Sequence, residues 1–134
     1  DVAYAWTDGR FSTDFVSQFP QFGNVSKGDQ LPYVPIHHGS AGLALLPEAA
    51  TLSARASGRS GMRDIAGSGD EPRAQAIQSI IALDMGAEYR LSQHLALYGT
   101  ATNLTGQRTI ESWRPFGARP NAPTRWMVGF KGRL

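Results

Sequence analysis

A two-residue alternation of apolar and polar side chains recurs along this chain and constrains its fold more than any other feature. In the clearest run, 79–90, one parity includes Leu83 and Met85. The other parity includes Asp84 and Glu88. Successive side chains of a β-strand point to opposite faces, so this pattern predicts strands with one apolar and one polar face. The runs that show it are 1–7, 36–46, 51–58, 79–90, 95–104 and 124–134. We therefore predict an all-β chain of about six strands.

The connections between these runs alternate in length. Two of them, 47–49 and 91–94, are short, whereas 8–35, 59–78 and the stretch from 105 to 123 are long and rich in Gly and Pro. In an antiparallel up-and-down meander, alternate connections lie at opposite ends of the sheet, so every long loop falls at the same end. Transmembrane β-barrels have this asymmetry of long outer loops and short inner turns. The sequence thus predicts an antiparallel meander that is part of a transmembrane β-barrel.

Composition excludes several classes of function. The 134 residues include no cysteine, which rules out a disulfide framework and a thiolate metal site. The formal net charge is only +2, with both signs scattered, and this argues against a nucleic-acid partner. No apolar run is long enough for a transmembrane helix, but barrel strands need only about 10 alternating residues each.

Three segments at the C-terminal end carry a resemblance to a known family: the turn 103–106 (NLTG), the loop 112–123 (SWRPFGARPNAP) and the last run, 124–134. Together they resemble the closing hairpin of TonB-dependent outer-membrane receptors, most of all the branch that includes ferric citrate receptors. Two positions depart from that pattern. Thr124-Arg125 inverts the usual Arg-Thr order, and Leu134 stands where the family usually has an aromatic residue.

The resemblance implies a bacterial outer-membrane location and a specific place within a larger protein. It implies that residues 1–134 are the C-terminal part of a receptor barrel, with a plug domain and the earlier strands preceding Asp1. The partners implied are a ferric chelate of siderophore or ferric citrate type, outer-membrane lipid, and a TonB-type energy-coupling protein that acts through the plug. The expected function is energy-coupled uptake, not catalysis, and no cofactor is expected.

Arginines in the long loops are the candidate ligand-binding residues. Arg59 and Arg63 fall in one loop, and Arg114 and Arg119 in another. Guanidinium groups match carboxylate oxygens in a bidentate geometry, as capture of a negatively charged iron chelate requires. The alternative is that 112–123 is a structural loop motif whose arginines pair with barrel carboxylates or with lipopolysaccharide.

Two other clusters suggest chemistry but have simpler interpretations. His37 and His38 are neighbours on a strand, so they point to opposite faces and cannot chelate one metal ion together. Asp84, Glu88 and Arg90 share one face, where a carboxylate pair beside a cation is one interpretation and a polar lumen wall is the other. No nucleophile elbow or phosphate loop accompanies them. We therefore expect neither a metal site nor a catalytic site.

A second class of function also fits the alternation. The chain could be a soluble β-rich binding module that recognises sugar or protein through its long loops. The two hypotheses differ in where the apolar strand faces lie, because a soluble module must bury them and a barrel exposes them to lipid. Dependence of the folded state on detergent separates them.

Overall fold

The protein is described by a computed structural model over residues 1–71 and 76–132. In this part of the chain there are ten β-strands and no helix. The strands are β1 (Val2–Trp6), β2 (Phe15–Val16), β3 (Asn24–Val25), β4 (His37–Leu45), β5 (Ala50–Arg59), β6 (Ile80–Arg90), β7 (Leu95–Thr102), β8 (Ile110–Ser112), β9 (Arg119–Pro120) and β10 (Arg125–Gly132). Across 1–71 and 76–132, no helix long and apolar enough to cross a membrane is present. Arg133 and Leu134, which were expected to extend the last strand, lie outside the described residues.

Six of these strands form one antiparallel sheet in the order β1-β4-β5-β6-β7-β10. The predicted up-and-down meander is therefore confirmed, with the long connections at one end and the short turns at the other. The strand bounds agree with the sequence-based ones to within two residues. One difference matters for function: Arg59 is the last residue of β5 and not a loop residue as expected, because the pairing with β4 and β6 continues one residue past the alternating run.

The sheet has an apolar face that carries no Asp, Glu, Lys or Arg within the described strands. Residues directly opposite in an antiparallel pair share a face, so the register defines it. Met85 is opposite both Ala54 and Ala101, and Ala101 is opposite Trp126. Large side chains on this face are exposed, among them Val128 at 74% and Trp126 at 73%.

The opposite, polar face carries the strand charges. Arg55 lies opposite Asp84, and Lys131 Nζ reaches Glu88 Oε2 at 3.4 Å. The predicted division of apolar from charged side chains is confirmed for the described residues, and Asp84, Glu88 and Arg90 share the polar face as predicted. Arg90 donates a hydrogen bond to the carbonyl of Glu48.

Three long connections pack at one end of the sheet: loop A (7–36), loop B (60–79) and loop C (103–124). Loop A includes regular structure of its own, the β2–β3 hairpin. Its aromatic side chains form a small cluster, in which the Phe11 ring centroid lies 5.3 Å from that of Phe15 and 6.0 Å from that of Phe22. Rings at these separations attract one another and exclude water. Loop C likewise contains the β8–β9 hairpin.

The most deeply buried side chains lie in the loops and not against the sheet. Gln30 of loop A bridges Gly67 of loop B, and Met62 bridges Ile77 within loop B. Ile77 and Asp64 are each only 1% exposed. A soluble sheet protein buries its apolar strand faces and exposes its loops. The described part of this chain does the reverse.

Candidate functional site

The base of loop C is closed by two buried asparagines. The Asn103 side-chain amide donates to the carbonyls of Gln107 and Ala122, at 3.0 and 2.9 Å, and its backbone N–H donates to Asp84 Oδ1 at 2.8 Å. Asn121 Oδ1 accepts from the backbone N–H of Thr109 at 2.8 Å. Asn103 has a positive φ of 51°, which asparagine tolerates better than most residues. These bonds explain physically why asparagine occupies the turn that resembles the receptor hairpin.

One buried carboxylate joins all three loops. Asp64 of loop B accepts a hydrogen bond from the Tyr33 hydroxyl of loop A and forms an ion pair with Arg114 of loop C, Nε to Oδ2 3.1 Å. The Asp64 side chain is 2% exposed and that of Arg114 is 30% exposed. The Arg114 Nε–H is not aligned for a hydrogen bond along this line, so we describe the contact as an ion pair. We call these three residues the loop node.

The loop node changes the acidity of its phenol. Burial, followed by the hydrogen bond to Asp64, raises the pKa of Tyr33 above its ordinary value. Contacts with the Ser112 side chain and the Trp113 backbone act in the opposite direction but do not reverse the shift. The phenol is protonated at neutral pH even at its ordinary pKa, and the raised pKa extends that protonated, hydrogen-bond-donating form to higher pH.

Two further loop arginines bind backbone carbonyls. Arg63 donates from Nη1 to Gly69 at 2.7 Å and from Nε to Ile65 at 3.2 Å, which holds loop B in a tight curve. Arg119 donates from Nη2 to the Arg114 carbonyl at 2.8 Å and so closes the tip of loop C. Bonds of this kind order a loop by satisfying carbonyl groups that have no partner in a sheet.

Beneath the loops, the polar face of β1, β4, β5 and β6 forms the floor of an open hollow of about 880 Å³. Tyr33 and Pro35 of loop A line its upper side, and Glu111 of β8 lies at its edge. Because Tyr33 belongs to the loop node, the geometry of this upper side depends on all three loops. The volume falls within the range of roughly 300–1,000 Å³ that small-ligand sites occupy.

Two arginines of β5 and a histidine of β4 line this hollow. Arg59 donates from Nη1 to the Gln78 carbonyl at 2.9 Å, while its Nη2 is buried and has no hydrogen-bond partner in the described part of the chain. Arg55 donates from Nη2 to Ser40 Oγ at 2.9 Å. His38 is directly opposite Arg59 in the register. The arrangement offers N–H donors and positive charge to an anionic ligand.

The structure places the four candidate arginines in two different settings. Arg59 lines the hollow, whereas Arg63, Arg114 and Arg119 order the loops above it. Whether any of the four contacts a ligand stays a prediction. Arg55 was not among the arginines predicted to bind a ligand. The alternation offered a signal for it, because residues 55 and 59 fall on the same face of a strand.

The sequence predicts that His37 and His38 point to opposite faces of their strand, and the register confirms this. His37 is opposite Trp6 on the apolar face, and His38 is opposite Ala5 on the polar face. His37 Nδ1 lies 2.9 Å from the Tyr4 hydroxyl, so its ring nitrogen already has a hydrogen-bond partner. The two imidazoles cannot share a ligand.

Comparison with known proteins gives matches among solved structures. No protein-family model matches the sequence, and no curated protein matches it. The structure aligns over 98% of the chain with the siderophore receptor PiuA from Acinetobacter baumannii, with a TM-score of 0.75 and 15% sequence identity. It aligns over 77% of the chain with the closed form of the ferric-catecholate import receptor Fiu from E. coli K12, with a TM-score of 0.66 and 17% identity.

These likenesses show the fold alone: over the aligned residues the chain has the strand arrangement of a segment of each of these two proteins. The chain spans 19% of the length of the PiuA chain and 15% of that of the Fiu chain. The PiuA and Fiu chains are therefore each several times longer than this chain of 134 residues.

Proposed function

We propose that this chain is the C-terminal part of the barrel of a TonB-dependent outer-membrane receptor that takes up a ferric chelate. Its six long strands form a stretch of barrel wall, and a plug domain and the earlier strands belong to the same protein. Two solved structures with this fold are a siderophore receptor and a ferric-catecholate import receptor, which supports a chelate as the ligand. The ferric citrate branch is a narrower proposal that rests on the sequence resemblance.

The observation that carries the proposal is the charge-free, exposed apolar face. A face that includes Val2 at 83% and Phe130 at 69% exposure is unfavourable in water but suits the hydrocarbon core of a bilayer. Trp6 and Trp126 lie at the long-loop end of this face and Tyr89 near the other end. Aromatic residues at both rims are typical of the two membrane–water interfaces.

In this proposal the loops capture the chelate and the polar face guides it inward. The loop node keeps loops A, B and C together, so the upper side of the hollow has a defined shape before ligand arrives. A preformed site loses less conformational entropy on binding than a flexible one. Passage beyond the hollow requires rearrangement of the plug, driven by the inner-membrane partner.

A soluble binding module is the second class of function, and the burial pattern argues against it. Soluble proteins rarely expose a continuous apolar face, because such a surface aggregates. Here the exposed apolar side chains run across all six strands of the sheet. The loops could serve recognition of sugar or protein in either setting, so support for the receptor proposal comes from the strand faces.

Uptake of radioactive iron tests the proposal directly. Cells that express the full-length protein are given ⁵⁵Fe-chelates under iron limitation, with matched cells that lack it and with cells treated with a protonophore. The proposal predicts chelate-dependent uptake that needs both the protein and the proton gradient. Uptake that is unchanged when the protein is absent, across anionic and neutral chelates, would reject it.

A further inference from the structure

Small side chains form much of the floor of the hollow. On the polar face of neighbouring strands the lining residues include Ala3, Ala5, Ser40, Ser57 and Ala82. Small side chains leave the sheet surface low, so a bulky ligand can approach the backbone there. Longer side chains rise from the same surface only at defined positions, and two of these are arginines.

The charges around this floor are unbalanced. Arg55 and Arg59 share a face of β5 and are separated by four residues, or about 13 Å of strand. Glu111 is the one carboxylate among the described lining residues, so two guanidinium groups against one carboxylate leave an excess of one positive charge. Asp84 is opposite Arg55 in the register, but it accepts the Asn103 N–H at 2.8 Å and forms no ion pair within the described residues.

The hydrogen-bonding capacity of these arginines is not used up. Arg59 Nη2 is buried and has no acceptor in the described part of the chain, while Arg55 reaches only the neutral hydroxyl of Ser40. Neither guanidinium group is paired with a carboxylate in the described part of the chain, so an anionic ligand in the hollow compensates positive charge that the protein leaves unpaired. An uncharged ligand would displace water from both guanidinium groups without compensating their charge.

We propose that the hollow selects ferric chelates with net negative charge over electrically neutral ones, and that Arg55 and Arg59 are the residues that make this selection. The inference rests on the proposed function and names the class of substrate for it. The backbone positions of the two arginines are about 13 Å apart along β5, farther than one small anion extends. A bulky chelate with negative oxygens on opposite sides can contact both.

Binding to the purified full-length protein tests the selection, with two chelates as probes. A ferric tris-catecholate carries three negative charges, and a ferric tris-hydroxamate is neutral. We expect the wild-type protein to prefer the tris-catecholate by at least tenfold, and Arg55→Gln or Arg59→Gln to lower that affinity by about tenfold or more. Arg90→Gln, on the same face at the short-turn end, is the matched control and should leave the affinity unchanged.

Two checks keep the outcome interpretable. Heat resistance of the barrel in detergent shows whether each variant is folded, and Arg55→Lys retains the charge where Arg55→Gln fails to fold. Equal affinity of the wild-type protein for both chelates, or full tris-catecholate affinity in both folded glutamine variants, overturns the inference and leaves the proposed function intact. Failure of the wild-type protein to bind either chelate and to take up iron overturns the proposed function and this inference with it.

Discussion

Replacing Val128 with arginine is expected to destabilise the membrane-inserted protein by about 2–4 kcal/mol. Val128 lies near the middle of β10, opposite Gly99 and on the apolar face, where 74% of it is exposed. A guanidinium at that depth would enter hydrocarbon with neither water nor a carboxylate to solvate it. Urea titration of the protein in lipid vesicles measures the change in the free energy of unfolding.

Met127→Arg is the matched control for this substitution. Met127 is the preceding residue of the same strand, is also exposed at 55%, and lies on the polar face opposite Thr100. Its replacement should change the free energy of unfolding by less than about 1 kcal/mol, as is usual for surface positions without special contacts. Similar losses in Val128→Arg and Met127→Arg would show that the two faces do not meet different environments.

Arg114→Met is expected to open the loop end of the molecule. It leaves the Asp64 carboxylate 2% exposed and without its cation, and loss of one partner from a buried pair typically costs about 3–5 kcal/mol. Because Arg114 is itself 30% exposed, we expect the lower end of that range. Hydrogen exchange should then lose roughly 100-fold in protection within loops A, B and C. Protection of the sheet should remain.

Two further variants identify the cause of that loss. Arg108→Met changes an exposed arginine of the same loop and should alter protection very little. Asp64→Asn combined with Arg114→Met removes the uncompensated charge and keeps an acceptor for Tyr33, so it should recover much of the protection. If Arg114→Met leaves the loops as protected as the wild type, the ion pair does not hold them together.

The sheet could be predicted from the sequence because its determinants are local. Alternation in runs such as 79–90 shows which side chains share a face, and the lengths of the connections show which ends of the strands lie together. Both signals can be counted along the chain without knowing any distant contact. The predicted strand ends are less accurate. At Arg59, for example, pairing with the neighbouring strands extends β5 beyond its alternating run.

The loop node could not be predicted because it depends on contacts between distant segments. Nothing near Tyr33, Asp64 or Arg114 indicates that the three side chains meet. The SWRPFGARP string showed that loop C was special but left open whether its arginines served structure or ligand. Arg55 is a different case, since its shared parity with Arg59 was visible in the sequence. It was missed because Arg59 was assigned to a loop, where parity has no meaning.

A nitroxide scan along β10 tests whether the apolar face of the sheet contacts lipid. Residues 1–134 contain no cysteine, so a single cysteine introduced at each position of 125–131 is the only labelling site within this part of the protein. Collision with molecular oxygen, which concentrates in hydrocarbon, is then measured in lipid vesicles. Oxygen collision should be greatest at Trp126, Val128 and Phe130 and smallest at the residues between them. Uniform oxygen access, or greater access to a water-soluble nickel complex at those three positions, would contradict lipid contact at this face.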